Sequence, residues 1–408
     1  MLLPSPSMLR RRFLPLILAA PLALHAQNSS DGAKALWAEF MTRLTAEYHT
    51  PIDELDMTKK AVDLLAAENP AFASLPKPAD YGADSTTQRT AFHQYVLAFA
   101  AKAGRRMDAT ATVELAVQRL CERHLRFAQY IPASVQAELA NLGQASLGMR
   151  IEVGENGHFY CQPFPGEAAA VAGIEAGDEL IALDGIPVEG MNRWKLKVRL
   201  YGTDGSKAEV RVRQATGRII TAELVRRITG GLRITVTTGI GGTNIRIPTF
   251  DANTLADLKA ALGKAKPGSP LTLDMRGNGG GDIPPAVDAA ALFIDGARPL
   301  VLAKQQRRGQ PDIELKSNEA MIPGFKRLLV LMDGGTASSA ELFIATLSEA
   351  ANVRVALSGA RTYGKDLWLE GATLQNGGGE LYLPVGNLVT TGGKNWPKGI
   401  EPTFGAKK

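Results

Sequence analysis

The spacing of apolar positions changes character twice along the 408 residues of this chain. From 31 to 128 the period is helical. Leu36, Phe40, Leu44 and Tyr48 fall on one helix face, with Trp37 and Met41 beside them, and Asp31 is placed to cap that helix. Thr50-Pro51 ends it. The pattern predicts further helices over 56–67 and 88–103, separated by a looser stretch with Pro70, Pro76, Pro78 and Gly82. A last helix, opened by Asp108, puts Val113, Val117, Leu120, His124 and Phe127 on one face. In that company His124 reads as a core histidine.

Near Leu147 the period shortens to that of strands. Short alternating segments follow at 147–151, 158–162, within 172–185, at 209–214 and at 219–226, with one helix near 189–201. From 229 onward strands and helices alternate. The predicted order is a strand over 243–250, a helix over 253–263, a buried strand over 271–276 and a helix near 285–294. A strand over 329–332, a helix beginning at Thr336 and a strand over 353–357 complete it. Such an order argues for an α/β layer fold.

Composition adds little: 45% of residues are apolar and 21% charged, as in an ordinary globular protein. The formal charge of +5 includes Arg10, Arg11 and Arg12, and no basic stripe with interleaved aromatics suggests nucleic acid as a partner. Those arginines, the apolar run Phe13–Leu24 and Leu24-His25-Ala26 before Gln27 read as a removable export signal over 1–26. The apolar run is short and carries Pro15 and Pro21, so a membrane span is not expected. The mature protein is expected to be exported, in the periplasm. Cys121 and Cys161 have no metal-type spacing and read either as a disulfide or as two separate buried thiols. No metal or cofactor is expected.

Two stretches invite chemistry. In 329–341, Leu-Val-Leu-Met-Asp-Gly-Gly-Thr-Ala-Ser-Ser-Ala-Glu, a buried strand breaks at a tight turn into a helix, with Ser338 and Ser339 at its start. Free N–H groups there favour a developing negative charge. The plain alternative is that Thr336 or Ser338 merely caps the helix. In 271–282 a strand runs into Gly277-Asn278-Gly279-Gly280-Gly281 and then a helix, without the spacing of a phosphate or dinucleotide loop. If Ser338 is a nucleophile it needs a base. All five histidines precede residue 159, so Lys365, in Gly359-Ala-Arg-Thr-Tyr-Gly-Lys365, is the natural alternative. It must be neutral, its pKa brought from about 10.4 toward about 7–8 by burial near Tyr363, Leu367 and Trp368.

Two resemblances tie these pieces together. Ala172-Gly-Ile-Glu-Ala-Gly-Asp-Glu-Leu-Ile-Ala-Leu-Asp-Gly185 and the strands around it resemble a bacterial-type PDZ domain. That implies that Leu147-Gly148-Met149 offers backbone N–H groups to a peptide's terminal carboxylate while the peptide adds as a strand. With Leu273-Asp-Met-Arg-Gly-Asn-Gly-Gly-Gly281, Thr336-Ala-Ser-Ser-Ala-Glu341 and Gly399-Ile-Glu-Pro402, the chain is similar to the carboxyl-terminal processing (tail-specific) protease family over 145–404. The resemblance implies a multidomain α/β (α+β) protein. Its parts are a helical N-terminal region (27–144), a PDZ domain (145–228) and a ClpP/crotonase-like Ser-Lys protease core (229–408).

Carried over, the resemblance makes Ser338 the nucleophile and Lys365 the general base, with an oxyanion hole from the N–H groups of Gly280 and Ser339. The implied partners are protein or peptide substrates with a free, apolar C-terminus, with room for an adaptor protein. The family's usual glycine after the lysine is Asp366 here, and its orienting glutamine is Leu369. Glu370 is the remaining orienting candidate, although a regular strand would turn it to the opposite side. These departures motivate one alternative, a peptide-binding protein with an inert core. Strand–turn–helix oxyanion holes motivate another, a crotonase-type acyl-thioester enzyme.

Overall fold

The computed structural model describes residues 30–404 apart from 69, 105–106, 144, 155, 165, 229–232, 326 and 350–353. The expected leader over 1–26 lies outside the described residues.

One compact unit holds the described residues up to Ala133 together with Glu370–Leu383. Its helices are α1 (Ser30–Glu47), α2 (Glu54–Ala67), α3 (Ser85–Ala103) and α4 (Ala109–Arg123), followed by the short strand β1 (Gln129–Ile131). Aspartates set where three of them begin: Asp53 accepts the N–H of Leu55, Asp84 forms a capping box with Thr87, and Asp108 accepts the N–H of Ala111. Two of these starts precede the first apolar residue of the repeat, so α2 and α3 begin earlier than periodicity suggests. Asp31 lies inside α1. Trp37 and Phe92 stack with ring centres 4.0 Å apart at the centre of the bundle. His124 is not a core residue: it stands exposed at the C-cap of α4, where the helix has already ended.

The second unit, Ser134–Leu369 with 384–404, contains everything else. Its first part holds α5 (Ala133–Ala140), β2 (Met149–Val153), β3 (Phe159–Pro163), α6 (Ala168–Val171), β4 (Glu179–Leu183), β5 (Ile186–Pro187), α7 (Arg193–Leu200), β6 (Lys207–Arg213) and β7 (Ile219–Val225). The antiparallel sheet runs β2-β3-β4-β6-β7, so β2 is an edge strand. β6 alternates buried and exposed residues along its length, as a strand with one wet face should. Leu147, Met149, Phe159, Leu180, Leu196 and Val210 share one core. These elements make the PDZ fold.

The remaining part holds β8 (Thr235–Gly239), β9 (Gly242–Arg246), α8 (Thr254–Leu262), β10 (Leu271–Asp274), α9 (Ile283–Ala291), β11 (Leu300–Arg307) and β12 (Ile313–Ser317). It ends with β13 (Arg327–Met332), α10 (Ser339–Glu349), β14 (Arg354–Gly359) and the portions of β15 (Leu367–Thr373) and β16 (Glu380–Thr390) that lie outside Glu370–Leu383. The central sheet runs β14-β13-β10-β9-β8, parallel except for β8, and β11 pairs antiparallel with β12 and with 386–390. Parallel strands are covered on both faces, which is why β10 and β13 read as apolar runs. Asp274 lies in register with Leu331. The carboxyl ends of β10 and β13 are therefore neighbours, and the loops leaving them meet at the edge where α/β sheets hold ligands.

Cys121 and Cys161 are unbonded, buried thiols, one in each unit. Burial raises both, Cys161 to about 12.

Phe343 is fully buried between Phe250 and Phe293 on the helix that starts at Ser338. Phe343→Ala is expected to cost about 3–5 kcal/mol, measured as a lowered urea midpoint with an unchanged m-value.

Candidate active site

The loop after β10 and the turn after β13 are stitched together backbone to backbone. Ala337 N–H donates to Asn278 O at 2.9 Å, and the Thr336 hydroxyl donates to Met275 O at 3.0 Å. Asp333 Oδ1 accepts the N–H groups of Gly277 and Gly335, both at 2.9 Å. Gly280 packs against the turn, and a Cβ there would lie 2.8 Å from Ser338 Cβ and 3.2 Å from Ser339 N. Only glycine allows that approach at its φ of +104°. Gly280 and Ser339 are thus brought to the two sides of Ser338.

Ser338 has a left-handed φ of +60°, costing about 1–2 kcal/mol for a residue with a Cβ. It is the N-cap of α10, since Leu342 N–H donates to Ser338 O at 3.0 Å. The reciprocal bond explains how the turn is held. Glu341, three residues on, returns its carboxylate to the Ser338 N–H at 2.9 Å, which is one half of a capping box. The Ser338 hydroxyl takes no part in the cap and makes no hydrogen bond to another described residue. The simple capping reading of this serine therefore does not describe its side chain.

Glu341 is fully buried and serves a second loop as well. Its carboxylate accepts the Lys365 N–H at 2.7 Å, the Gly364 N–H at 2.7 Å and the Thr362 hydroxyl at 2.5 Å. One oxygen, Oε2, takes both the Ser338 and the Lys365 N–H, so the two backbones are two hydrogen bonds apart. Burial raises the Glu341 carboxyl above its ordinary range, against the four donors that favour the charged form. The sequence offers one signal for this role, the spacing Ser-x-x-Glu at a helix start.

Burial, helped by the positive charge of Arg193, pulls the Lys365 ammonium below the ordinary lysine range. The wall behind it is the Gly399-Ile-Glu-Pro402 segment. Ile400 N–H donates to Thr362 Oγ1 at 2.7 Å, Thr362 N–H donates to Ile400 O at 3.1 Å, and a Cβ on Gly364 would lie 2.8 Å from Gly399 N. Asp366, buried, accepts from Asn395 Nδ2 at 3.1 Å, and Leu369 is half-buried on β15. Glu370 is exposed and belongs to the other unit.

Two features leave the arrangement short of a working centre. Among the described residues the Ser338 hydroxyl has no hydrogen-bond partner, and the Gly280 N–H donates to Asn278 Oδ1 at 2.9 Å. Leu147 and Met149 turn their side chains into the PDZ core around Gly148, whose φ is +76° and whose N–H makes a long 3.3 Å bond to Ser146 Oγ. From the adjoining strand, Arg150 Nη1 donates to Gly277 O at 3.0 Å and Gly335 O at 3.2 Å. One PDZ side chain thus holds both loops. A cavity of about 510 Å³ opens beside it, lined among others by Glu152, Gln162, Arg246, Arg276 and Asp333, with neither Ser338 nor Lys365 on its wall.

Residues 243–405 match the model of peptidase family S41, and 135–212 match that of the PDZ domain. The carboxy-terminal processing protease CtpA of Bacillus subtilis (strain 168) is 29% identical over 269 residues, covering 64% of this chain and 56% of that protein. The chloroplastic C-terminal processing peptidase of Tetradesmus obliquus is 30% identical over 259 residues, covering 59% and 54%. The chain spans about half the length of the curated relatives it matches. The solved photosystem II D1 C-terminal processing protease superposes with a TM-score of 0.65 at 20% identity, over 91% of this chain and 92% of that one, which establishes a shared fold.

Glu341→Gln replaces one of two acceptor oxygens by a donor facing backbone N–H groups. It is expected to lower stability by about 3 kcal/mol, read by chemical denaturation, with rapid amide exchange at Ser338 and Lys365 ahead of global unfolding.

Proposed function

Because residues 243–405 match the model of peptidase family S41 and a PDZ match precedes them, we propose that this protein is an exported serine endopeptidase. It docks the C-terminal tail of a protein substrate on the PDZ edge strand and cuts nearby. The observation that carries this reading is the single Glu341 oxygen shared by the Ser338 and Lys365 N–H groups. Export rests on the Arg10–Ala26 sequence pattern. Among the described residues no helix is long and apolar enough to cross a membrane.

In this mechanism the Ser338 oxygen attacks the scissile carbonyl carbon as neutral Lys365 Nζ takes the hydroxyl proton. The C–N bond breaks when Lys365 returns that proton to the leaving amine. Water then attacks the acyl-serine ester, giving up a proton to Lys365, which passes it to the Ser338 oxygen as the ester C–O bond breaks and the carboxylic acid product leaves. The oxyanion is held by the N–H of Ser339 at the start of α10 and, once it leaves Asn278, by that of Gly280. Bonds of this kind often tighten only when substrate is bound. Arg150 gives a route by which an occupied PDZ domain acts on both loops, so the PDZ domain gates cleavage as well as docking the tail.

A second reading, a peptide-binding protein with an inert core, is favoured by the unengaged hydroxyl together with Asp366 and Leu369 at the family's glycine and glutamine positions. Three measurements separate the two. Cleavage of a loosely folded protein with a free C-terminus is expected to vanish in Ser338→Ala and to fall about 10²–10⁴-fold in Lys365→Ala. Tail binding with no cleavage by the unmodified protein establishes the inert reading.

The pH profile has a definite sign. Only neutral Lys365 accepts a proton, so kcat/KM rises with pH through its folded pKa. Because burial lowers that pKa, the rising limb is expected below the ordinary lysine value of 10.5. A limb at the ordinary value contradicts the base assignment. Arg150→Ala is expected to reduce kcat about ten- to a hundredfold, the worth of about 1.5–3 kcal/mol for hydrogen bonds from a charged donor. Unchanged kcat on tailed substrates dismisses the gate.

A further inference from the structure

Helix α10 carries a second glutamate, at its far end. Glu349 is its last residue, where the helix dipole disfavours negative charge, so local structure gives no reason for a carboxylate there. The reason lies in the loop after β16. Glu349 Oε2 accepts the Thr390 hydroxyl at 2.6 Å, and Oε1 accepts the Thr391 hydroxyl and the Gly392 N–H, both at 2.7 Å. A Cβ on Gly392 would lie 3.0 Å from Oε2, so glycine is what lets that N–H come so close. Burial works against the charge, yet these donors and nearby Lys394 hold the carboxyl below its ordinary range.

The loop fastened in this way is the one that encloses the lysine turn. Just before it, Leu388 N–H donates to Asp366 O at 2.7 Å, and just after it Asn395 Nδ2 donates to Asp366 Oδ2 at 3.1 Å. Between them the chain turns back on itself. Thr390 N–H donates to Lys394 O at 2.9 Å, and Lys394 N–H donates to Thr390 Oγ1 at 3.1 Å. Buried Trp396 follows, and its carbonyl accepts the Gly399 N–H at 2.9 Å. A Cβ on Gly364 would lie 3.0 Å from Pro397 O. One helix therefore holds the lysine turn twice. Glu341 takes its N–H groups directly, and Glu349, about 12 Å further along the axis, takes the loop packed behind it.

We propose that Glu349 is a positioning residue for Lys365: it pins the middle of segment 388–400 to α10 and thereby fixes the lysine turn against the helix that Ser338 caps. This deepens the proposed peptidase function and rests on it for its consequence in cleavage. Without the clasp the loop is free to draw away from 362–366. Water then enters beside the amine, and the ammonium is stabilised over the neutral base. The competing account is that Glu349 only secures the end of a helix. That role affects folding and leaves the amine as it is.

The test uses the full-length protein and two measurements across pH. One is kcat and KM on a loosely folded substrate with a free C-terminus. The other needs no cleavage: acetylation of the Lys365 amine by acetic anhydride, followed by mass spectrometry. Glu349→Ala is expected to lower kcat about ten- to a hundredfold at neutral pH with KM unchanged. It also moves the rising limb and the acetylation midpoint up, toward the ordinary lysine value. Glu349→Gln, which keeps an acceptor for the loop, recovers most of that loss. Leu258→Ala, a core truncation on α8 outside these bonds, destabilises the protein and moves neither limb nor midpoint. If Glu349→Ala fails to fold, Thr391→Val removes a single donor and is expected to shift both in the same direction by less. Lower stability with an unmoved limb and midpoint overturns the proposal and leaves the peptidase function intact. A shifted midpoint in a protein that cleaves nothing upholds the placement of Lys365 and overturns the peptidase function.

Discussion

A single buried carboxylate organises the centre of this molecule. That carboxylate belongs to Glu341. It is solvated by three backbone N–H groups and one hydroxyl drawn from two loops that are far apart in sequence. Withdrawing a carboxylate from water is costly, so the arrangement persists only while those donors stay in place. That makes the carboxylate a geometric arbiter: the turn at Ser338 and the turn at Lys365 each take the conformation that presents an N–H to it. The left-handed serine and the glycine before the lysine are both consequences of that demand.

Around this knot the backbone is assembled more fully than the side chains. The Ser338 hydroxyl is idle and the Gly280 N–H is committed to Asn278, while Arg150 already grips the carbonyls of Gly277 and Gly335. Loop positions are thus fixed by many modest bonds, and in the proposed mechanism the remaining adjustment is the release of the Gly280 peptide group from Asn278.

Much of this was legible in the sequence because its signals are local. The apolar run Leu329–Met332, the glycines after Asp274 and the alternation in β6 each announce an element by themselves. Glu341 was visible as part of a motif but silent as to role, because three of its four donors come from 362–365 and such pairing is set by tertiary structure. His124 misled because its helical spacing continues past the true end of α4. Strands β11, β12 and β16 carry too little alternation to be seen, since β16 is buried on nearly every residue. Asp366 looked like a lesion in the family pattern, yet it is buried and holds Asn395.

The contact between Gly364 and Gly399 has a bearing on the protein's birth. Chains are made from the amino end, and Thr362 finds its partner Ile400 only after residue 400 has been polymerised. Until then the lysine turn has no back wall, and water has access to the amine that acts as base in the proposed mechanism. On that mechanism the nucleophile is made before its base can be desolvated.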